Sequence, residues 1–400
     1  MGGANIATFN QIERLMHSKA LDISIFSQTS PPKSLIDRLT DVTFHRAPTG
    51  KSIIDEKLVS MGLKEVLKSS EFSLLHKCKK FTMSIYAKLY GQEKAFQKYQ
   101  ADADFTDYLN QILANHDVAC VPFENSVYRA LLAESKCSRK VQWIHTDYAF
   151  WRNLNETTRD ISSNDHRLYK SMDVIVFVSN KSLDGFVELY PELNSKCVVC
   201  GNLFDVDQIK KMACEPFSVS DIKFDNSPQK FKIITVARLA DFEKNIKRSI
   251  DVAAMLKKDG FDFEWMFVGD GYDREMLHSY ASSLQLNDYI LWAGHQDNPY
   301  KFLKTADVFA LFSNYEGIPN TIYESLIVGT PVIASNIGGI PEQVTDATGW
   351  LVNNDIGEIY TELVFLISNR DLVIKLKKRL QSYEYDNDLI DLKYKVIFEF

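Results

Sequence analysis

The chain has 400 residues, enough for two domains, and its 45% hydrophobic and 25% charged content is that of an ordinary globular protein. A formal net charge of -7 excludes a general nucleic-acid binder. No signal-peptide pattern and no apolar run of about 18 residues is read, so a cytoplasmic, non-spanning chain is expected.

The start, Met1-Gly2-Gly3-Ala4, leads into a helix-like pattern (Ile6, Phe9, Ile12, Leu15), and Leu21 to Ser27 alternates like a strand. Lys64 to Tyr99 is helical in composition and holds eight lysines against three glutamates, with Phe72, Leu75, Phe81 and Ile85 interleaved. Such a stretch either lies on an anionic membrane or packs its apolar side inward and solvates its lysines. Val118 to Phe123 and Val141 to His145 read as buried strands. A histidine at the C-terminal end of a strand in an α/β domain points toward the ligand crevice, which singles out His145. Asp173 to Ser179 and Lys196 to Gly201 are further strands, with a helix from Lys181 to Leu189 between them. Cys197 and Cys200 have redox or zinc spacing, but they sit in a strand pattern, and no second pair or nearby histidine completes a zinc site. Ordinary buried thiols in a reducing compartment are expected, and no histidine cluster and no Asp-x-Asp motif placed at a strand end offers a metal site. The polar stretch Ser218 to Lys230 fits a linker or surface loop.

The second half alternates strand and helix. Phe231 to Ala237 is a strand followed at once by Arg238 and, six residues on, by Lys244. Two cations at the mouth of a βα unit can clamp a diphosphate, the arginine as a planar fork and the lysine as a point charge; the alternative is surface charge. A helix spans Asn245 to Lys258. Trp265 to Val268 is a strand running into the turn Gly269-Asp270-Gly271, and Ile290 to Ala293 is a strand running into Gly294-His295-Gln296-Asp297-Asn298. Val308 to Phe312 is a buried-strand run broken by Ser313, Asn314 and Gly317. Pro319 suits a helix start, Ile322, Leu326 and Ile327 keep helical spacing, Gly329 ends the helix, and Val332 to Ser335 is the next strand. The βαβ alternation predicts a parallel sheet with helices on both faces. Two acids bracket the helix start: Glu316 in the loop and Glu324 inside the helix. A carboxylate beside free helix amides suits a site holding a polyol next to a phosphate. On spacing alone, a helix-start acid and a solvated helix face remain equally open readings.

Glu316, Gly317, Pro319, Asn320 and Glu324, with Gly329 to Ser335 after the helix, resemble the retaining glycosyltransferases of family 4, of GT-B fold. The resemblance covers most of the chain and is strongest from about Phe231 to Val352. It implies two Rossmann-like domains facing a cleft, with residues 1–207 on the acceptor side, 208–383 binding the nucleotide sugar and 384–400 a helix crossing back. It also implies a first strand before Gly-Gly-Ala that this sequence lacks, so that an N-terminal domain without its first strand is expected. By resemblance, Glu316 binds donor-sugar hydroxyls, His145 faces the sugar near its C6 hydroxyl, Glu324 takes the ribose, and the loop with His295 sits by the nucleobase. Arg238 and Lys244 neutralise the diphosphate, and amides near Gly317, Ile318, Pro319 and Asn320 share that load; Gly2 and Gly3 read either as a tight loop facing the donor phosphates or the acceptor, or as a flexible terminus. The implied activity is metal-independent hexosyl transfer, with a nucleotide sugar as co-substrate, UDP rather than GDP, no cofactor, and a glycan or lipid-linked acceptor. A role in bacterial surface polysaccharide synthesis, peripheral to the membrane, would follow. A sugar-nucleotide epimerase of the same architecture and a non-catalytic nucleotide-sugar-binding or scaffold subunit are the alternatives.

Overall fold

The computed structural model describes residues 24–27, 43–46, 116–122, 124, 126–154, 158, 165–217, 224 and 229–398. The readings placed on Gly2 and Gly3, on the Ile6–Leu15 pattern and on the basic stretch from Lys64 to Tyr99 lie outside them.

Strands β1 (Ser24–Ser27) and β2 (Thr43–Arg46) pair in parallel, Ser24 opposite Thr43. A four-stranded sheet has the order β3 (Val118–Val121), β4 (Arg139–Ile144), β5 (Val174–Phe177), β6 (Cys197–Val199). Its β3–β4 and β5–β6 pairs are parallel. The six-stranded sheet is formed by β7 (Phe231–Val236), β8 (Phe263–Val268), β9 (Ile290–Gly294), β10 (Val308–Leu311), β11 (Val332–Ser335) and β12 (Gly349–Val352). Its order is β12-β11-β10-β7-β8-β9, every pair parallel. The chain starts this sheet in the middle and winds outward both ways, so the order reverses between β7 and β10. In an open α/β sheet that switch point, at the C-terminal strand ends, is where a crevice forms.

The strands are buried on both faces, as near-continuous Val, Ile and Phe runs require. Ile234, Val236, Met266, Val268, Phe309 and Leu311 enter one core, while Ile233, Trp265, Phe267, Val308 and Ala310 enter the other. The period-two alternation of Cβ directions makes one strand serve two cores.

The chain divides into two compact units, one taking in the described residues of Trp143–Ser163 and Ile175–Glu399, the other those of Thr8–Gln142 and Asn164–Val174. Within the second, Arg129 and Asp165 form a buried ion pair at 2.5 Å, and the Asp173 carboxylate accepts the Lys140 amide at 2.8 Å. Within the first, the last helix, Asn387–Phe398, buries Ile390, Tyr394 and Ile397, and Tyr394 stacks on Trp143 with ring centroids 5.5 Å apart. The polar stretch from Ser218 to Lys230 is not wholly a surface loop: Phe224 is buried in the core that also holds Ile234 and Met266. Cys197 and Cys200 are unpaired thiols whose pKa values burial pushes up to about 12, which leaves them unreactive.

Candidate functional site

The chain leaves β7 through Ala237 and Arg238 into a single helical turn, Asp241–Lys244. Asn245 then adopts the left-handed region (φ 43°), which asparagine tolerates, and its side chain caps the next helix, Ile246–Lys258, by accepting the Arg248 amide at 3.2 Å. This break separates Lys244 from the long helix and turns it toward β10. The chain leaves β10 through Phe312 to Glu316, and the two exits meet at the switch point. Lys244 Nζ lies 2.5 Å from Glu316 Oε1, and the buried Ser313 hydroxyl donates to the same oxygen at 2.7 Å. The Lys244 and Glu316 side chains are 19% and 10% exposed. Glu316 Oε2 has no hydrogen-bond partner among the described residues.

Behind this pair a polar network holds the loop. Asn314 accepts from Arg248 Nη2 at 3.1 Å and from Asn245 Nδ2 at 3.0 Å. Arg248 Nη1 also reaches the Phe312 carbonyl at 2.9 Å, and Asn354 Nδ2 donates to the Ser313 carbonyl at 2.8 Å. Burial lowers the Arg248 pKa, and its bonds go to the Phe312 carbonyl and to the Asn314 and Asn354 side-chain oxygens, so the cation serves to organise this loop. Arg238 is 57% exposed and paired with Glu243. The two cations read from the sequence as a clamp therefore both stand at this edge, each with a carboxylate partner.

The loop after Glu316 is threaded between other backbones. A Cβ on Gly317 would stand 1.9 Å from the His145 carbonyl oxygen, and one on Gly339 would stand 2.1 Å from the Gly317 carbonyl. Gly338 has φ +50°, and a Cβ there would meet the Glu316 carbonyl at 1.9 Å. Only glycine fits at these contacts. His145, directly after β4, is thereby held against the loop that carries Glu316. Gly338 and Gly339 belong to the turn leading to Glu342, whose carboxylate accepts the backbone amides of Asn180 (3.1 Å) and Lys181 (3.0 Å) and the Asn180 side chain (2.8 Å). That closes the start of helix Asn180–Leu189.

Pro319 precedes helix Asn320–Ile327, whose first amides receive no side-chain cap. Asn320 Oδ1 accepts from Asn202 at 2.6 Å, and the Pro319 carbonyl accepts from the buried Gln343 at 3.1 Å. Ile318 is partly exposed beside Gly339. Glu324 is not a solvated helix face. It is buried, and burial raises its pKa to about 7 despite a hydrogen bond from Tyr300. His295 is 62% exposed, 3.4 Å from Asp297, on the loop after β9. Beside that loop lies a pocket of about 170 Å³ lined by Leu239, Gly269, Arg274, His278, Trp292 and Gly294, with His278 stacked on Trp292 at 4.2 Å. Gly3 lies outside the described residues. Among the described residues, no group of three or more His, Cys, Asp or Glu could hold a metal.

Sequence reading missed Glu243, Arg248, Ser313, Asn354 and the His278–Trp292 stack. Ser313 and Asn314 registered only as strand breakers, although short polar residues directly after a buried strand are where side chains turn back to hold a loop. Arg248 and Asn354 are surface-type residues whose partners lie far away in sequence, so no local pattern marks them, whereas Glu243 is only five residues from its partner Arg238 and looks like an ordinary helix-turn acid.

Residues 219–386 match the model of the family described as Glycosyl transferases group 1. The chain is 30% identical over 169 residues to N-acetylgalactosamine-N,N'-diacetylbacillosaminyl-diphospho-undecaprenol 4-alpha-N-acetylgalactosaminyltransferase of Campylobacter jejuni, covering 42% of this chain and 43% of that protein. It is 29% identical over 194 residues to the putative colanic acid biosynthesis glycosyltransferase WcaL of Escherichia coli, covering 44% and 48%. The chain thus spans less than half the length of these curated relatives. Among solved structures it resembles HepE of Anabaena in complex with UDP (TM-score 0.68, 14% identity, 100% of this chain and 96% of that one). It also resembles the lipopolysaccharide outer core galactosyltransferase WaaB in its apo form (TM-score 0.62, 14% identity, 100% and 96%). The fold is that of the GT-B glycosyltransferases, with parallel sheets of Rossmann-like type.

Proposed function

We propose that the protein is a retaining glycosyltransferase that moves a hexosyl group from a nucleotide sugar, UDP-linked rather than GDP-linked, to a glycan or lipid-linked acceptor in surface polysaccharide synthesis. The observation that carries this reading is the meeting of Lys244 and Glu316 at the switch point, with one carboxylate oxygen held by Lys244 and Ser313 and the other open. The open oxygen suits a donor-sugar hydroxyl. Lys244, Arg238 and the uncapped first amides of helix Asn320–Ile327 suit the leaving diphosphate, on which negative charge develops as the glycosidic bond breaks. The matched family and the sugar-transferring relatives support the same class of reaction.

In this reading Glu324, whose carboxyl burial leaves partly protonated near neutral pH, donates to or accepts from ribose hydroxyls, and His145 faces the sugar. The loop with His295 and its neighbouring pocket hold the base. The acceptor proton leaves with the diphosphate, so that no separate base and no metal is needed. Incubating the purified protein with UDP- and GDP-sugars should give transfer, or slow donor hydrolysis, that survives a chelator and is lost in Lys244→Ala. Turnover that requires an added divalent ion would remove the metal-independent mechanism. Absence of any donor turnover would leave a binding subunit.

A further inference from the structure

The two cations of the proposed diphosphate clamp are both occupied. Lys244 is paired with Glu316 and Arg238 with Glu243, so the four groups sum to no net charge. A nucleoside diphosphate arriving at this edge meets two ion pairs, not two free cations. We propose that Glu243 is a tethered counter-ion that masks Arg238 in the donor-free protein and is displaced by the diphosphate, while Glu316 does the same at Lys244. The inference rests on the glycosyltransferase reading and adds a residue that sets how tightly the nucleotide is held and released.

Glu243 and Lys244 are neighbours on the single turn Asp241–Lys244, so one backbone element presents one member of each pair. That turn is latched to the loop of Glu316: the Asn314 amide donates to the Glu243 carbonyl at 2.8 Å, and Asn314 Nδ2 donates to the Phe242 carbonyl at 2.9 Å. The Glu243 backbone is therefore anchored, and only its side chain, paired with Arg238, can change partner. Tyr315 stands between, stacked on Phe150 with centroids 5.2 Å apart and edge-on to Phe242 at 6.4 Å. Its phenol is pushed up to about 12, first by burial and then by the charges of Glu243 and Glu316, while Arg238 pulls it down. Both carboxylates and the arginine thus lie within electrostatic reach of one hydroxyl.

A carboxylate beside a phosphate site repels the phosphate and competes for its cation. A tethered competitor also re-pairs as soon as the nucleotide leaves, which favours release of a product that two bare cations would retain. Removing the competitor has a sign that structural damage does not share: damage weakens nucleotide binding, and unmasking strengthens it.

The test is calorimetric titration of UDP and of GDP, without sugar, into the wild type, Glu243→Gln, Glu316→Gln, Arg238→Ala and the double variant Arg238→Ala/Glu243→Gln. The expected result is a Kd for UDP lower by about three- to tenfold in Glu243→Gln, or ~0.7–1.4 kcal/mol, with no such gain when Arg238 is also absent. Glu316→Gln should likewise tighten UDP while losing turnover of the sugar donor. Equal or weaker UDP binding by Glu243→Gln, with the wild type binding normally, overturns the masking and leaves the glycosyltransferase reading standing. Failure of the wild type to bind either nucleotide overturns both.

Discussion

The two edges of the six-stranded sheet differ in how far their charges are tied to backbone. At the N-terminal edge, Arg370 donates to the carbonyls of Gln229 (2.8 Å) and Lys230 and lies over the Phe231 ring, and the Asp307 carboxylate accepts the Lys232 amide at 2.8 Å. Lys377 caps the carbonyls of Lys304 and Ala306, and burial pulls its pKa down to about 8. A pocket of about 210 Å³ opens there among Lys230, Asp307 and Arg370; its arginine and aspartate lie 3.5 Å apart, and each is also bonded to backbone. At the C-terminal edge, Lys244, Glu316, Arg238 and Glu243 are committed to one another. A charge bonded to backbone completes the fold, because removing it orphans a buried peptide group. A charge bonded to another side chain can change partner when a ligand arrives.

Four experiments break or sharpen this contrast. Lys244→Ala or Arg238→Ala should cost about 2–4 kcal/mol of transition-state stabilisation, the scale of removing one preorganised electrostatic group. Steady-state kinetics would show it as a fall in kcat/KM, and unchanged turnover in both variants would remove the clamp. The next effect is read by pH. Glu324 has its folded pKa raised to about 7 from 4.5, so the folded state holds its proton more tightly than the unfolded chain does. Stability from this group is fully present below the unfolded value, falls between about pH 4.5 and 7, and is lost above, a difference of about 3 kcal/mol. Glu324→Gln should flatten that part of the urea-denaturation profile against pH. An unaltered profile would mean the carboxylate is solvated.

Gly317→Ala should be smaller, about 1–3 kcal/mol of stability, because the new methyl meets the His145 carbonyl and one backbone must shift. Activity should fall further than stability, since the displaced loop carries Glu316. A variant with native kinetics would show that this packing is not needed for the site. Arg370→Ala, at the opposite edge, should be the mildest: about 1–2 kcal/mol of stability through its lost carbonyl bonds, with kcat/KM unchanged. A fall in kcat/KM there would erase the distinction between the two edges.

Much of the larger unit was legible because its elements are buried on both sides and bounded by breakers. Val332–Ser335 falls where the run after Gly329 and Pro331 predicts, and helix Asn320–Ile327 begins at the proline. The pairing of Glu316 with Lys244 was not legible, since 72 residues separate them and only the reversal of strand order brings them together. The local sequence marks one as a sugar ligand and the other as a phosphate-binding cation, not the two as partners. Glu324 was ambiguous because a helix periodicity reports the apolar face and not whether a lone acid on another face is covered. The pattern from Asn245 to Lys258 makes Asn245 the first helical residue. It is instead a left-handed joint, a conformation that asparagine permits but does not announce.

Glu342 bears on how the chain reaches this state. Its carboxylate closes the first turn of a helix that begins 162 residues earlier. During synthesis, helix Asn180–Leu189 emerges long before that carboxylate exists, with only the Ser179 hydroxyl to hold one of its leading amides. Contacts of such separation form late, because the intervening loop must close first. The helix end therefore stays frayed until the glycine turn at Gly338 and Gly339 has docked against the Glu316–Gly317 backbone. A nascent chain stopped short of Glu342 would lack this carboxylate at the start of helix Asn180–Leu189.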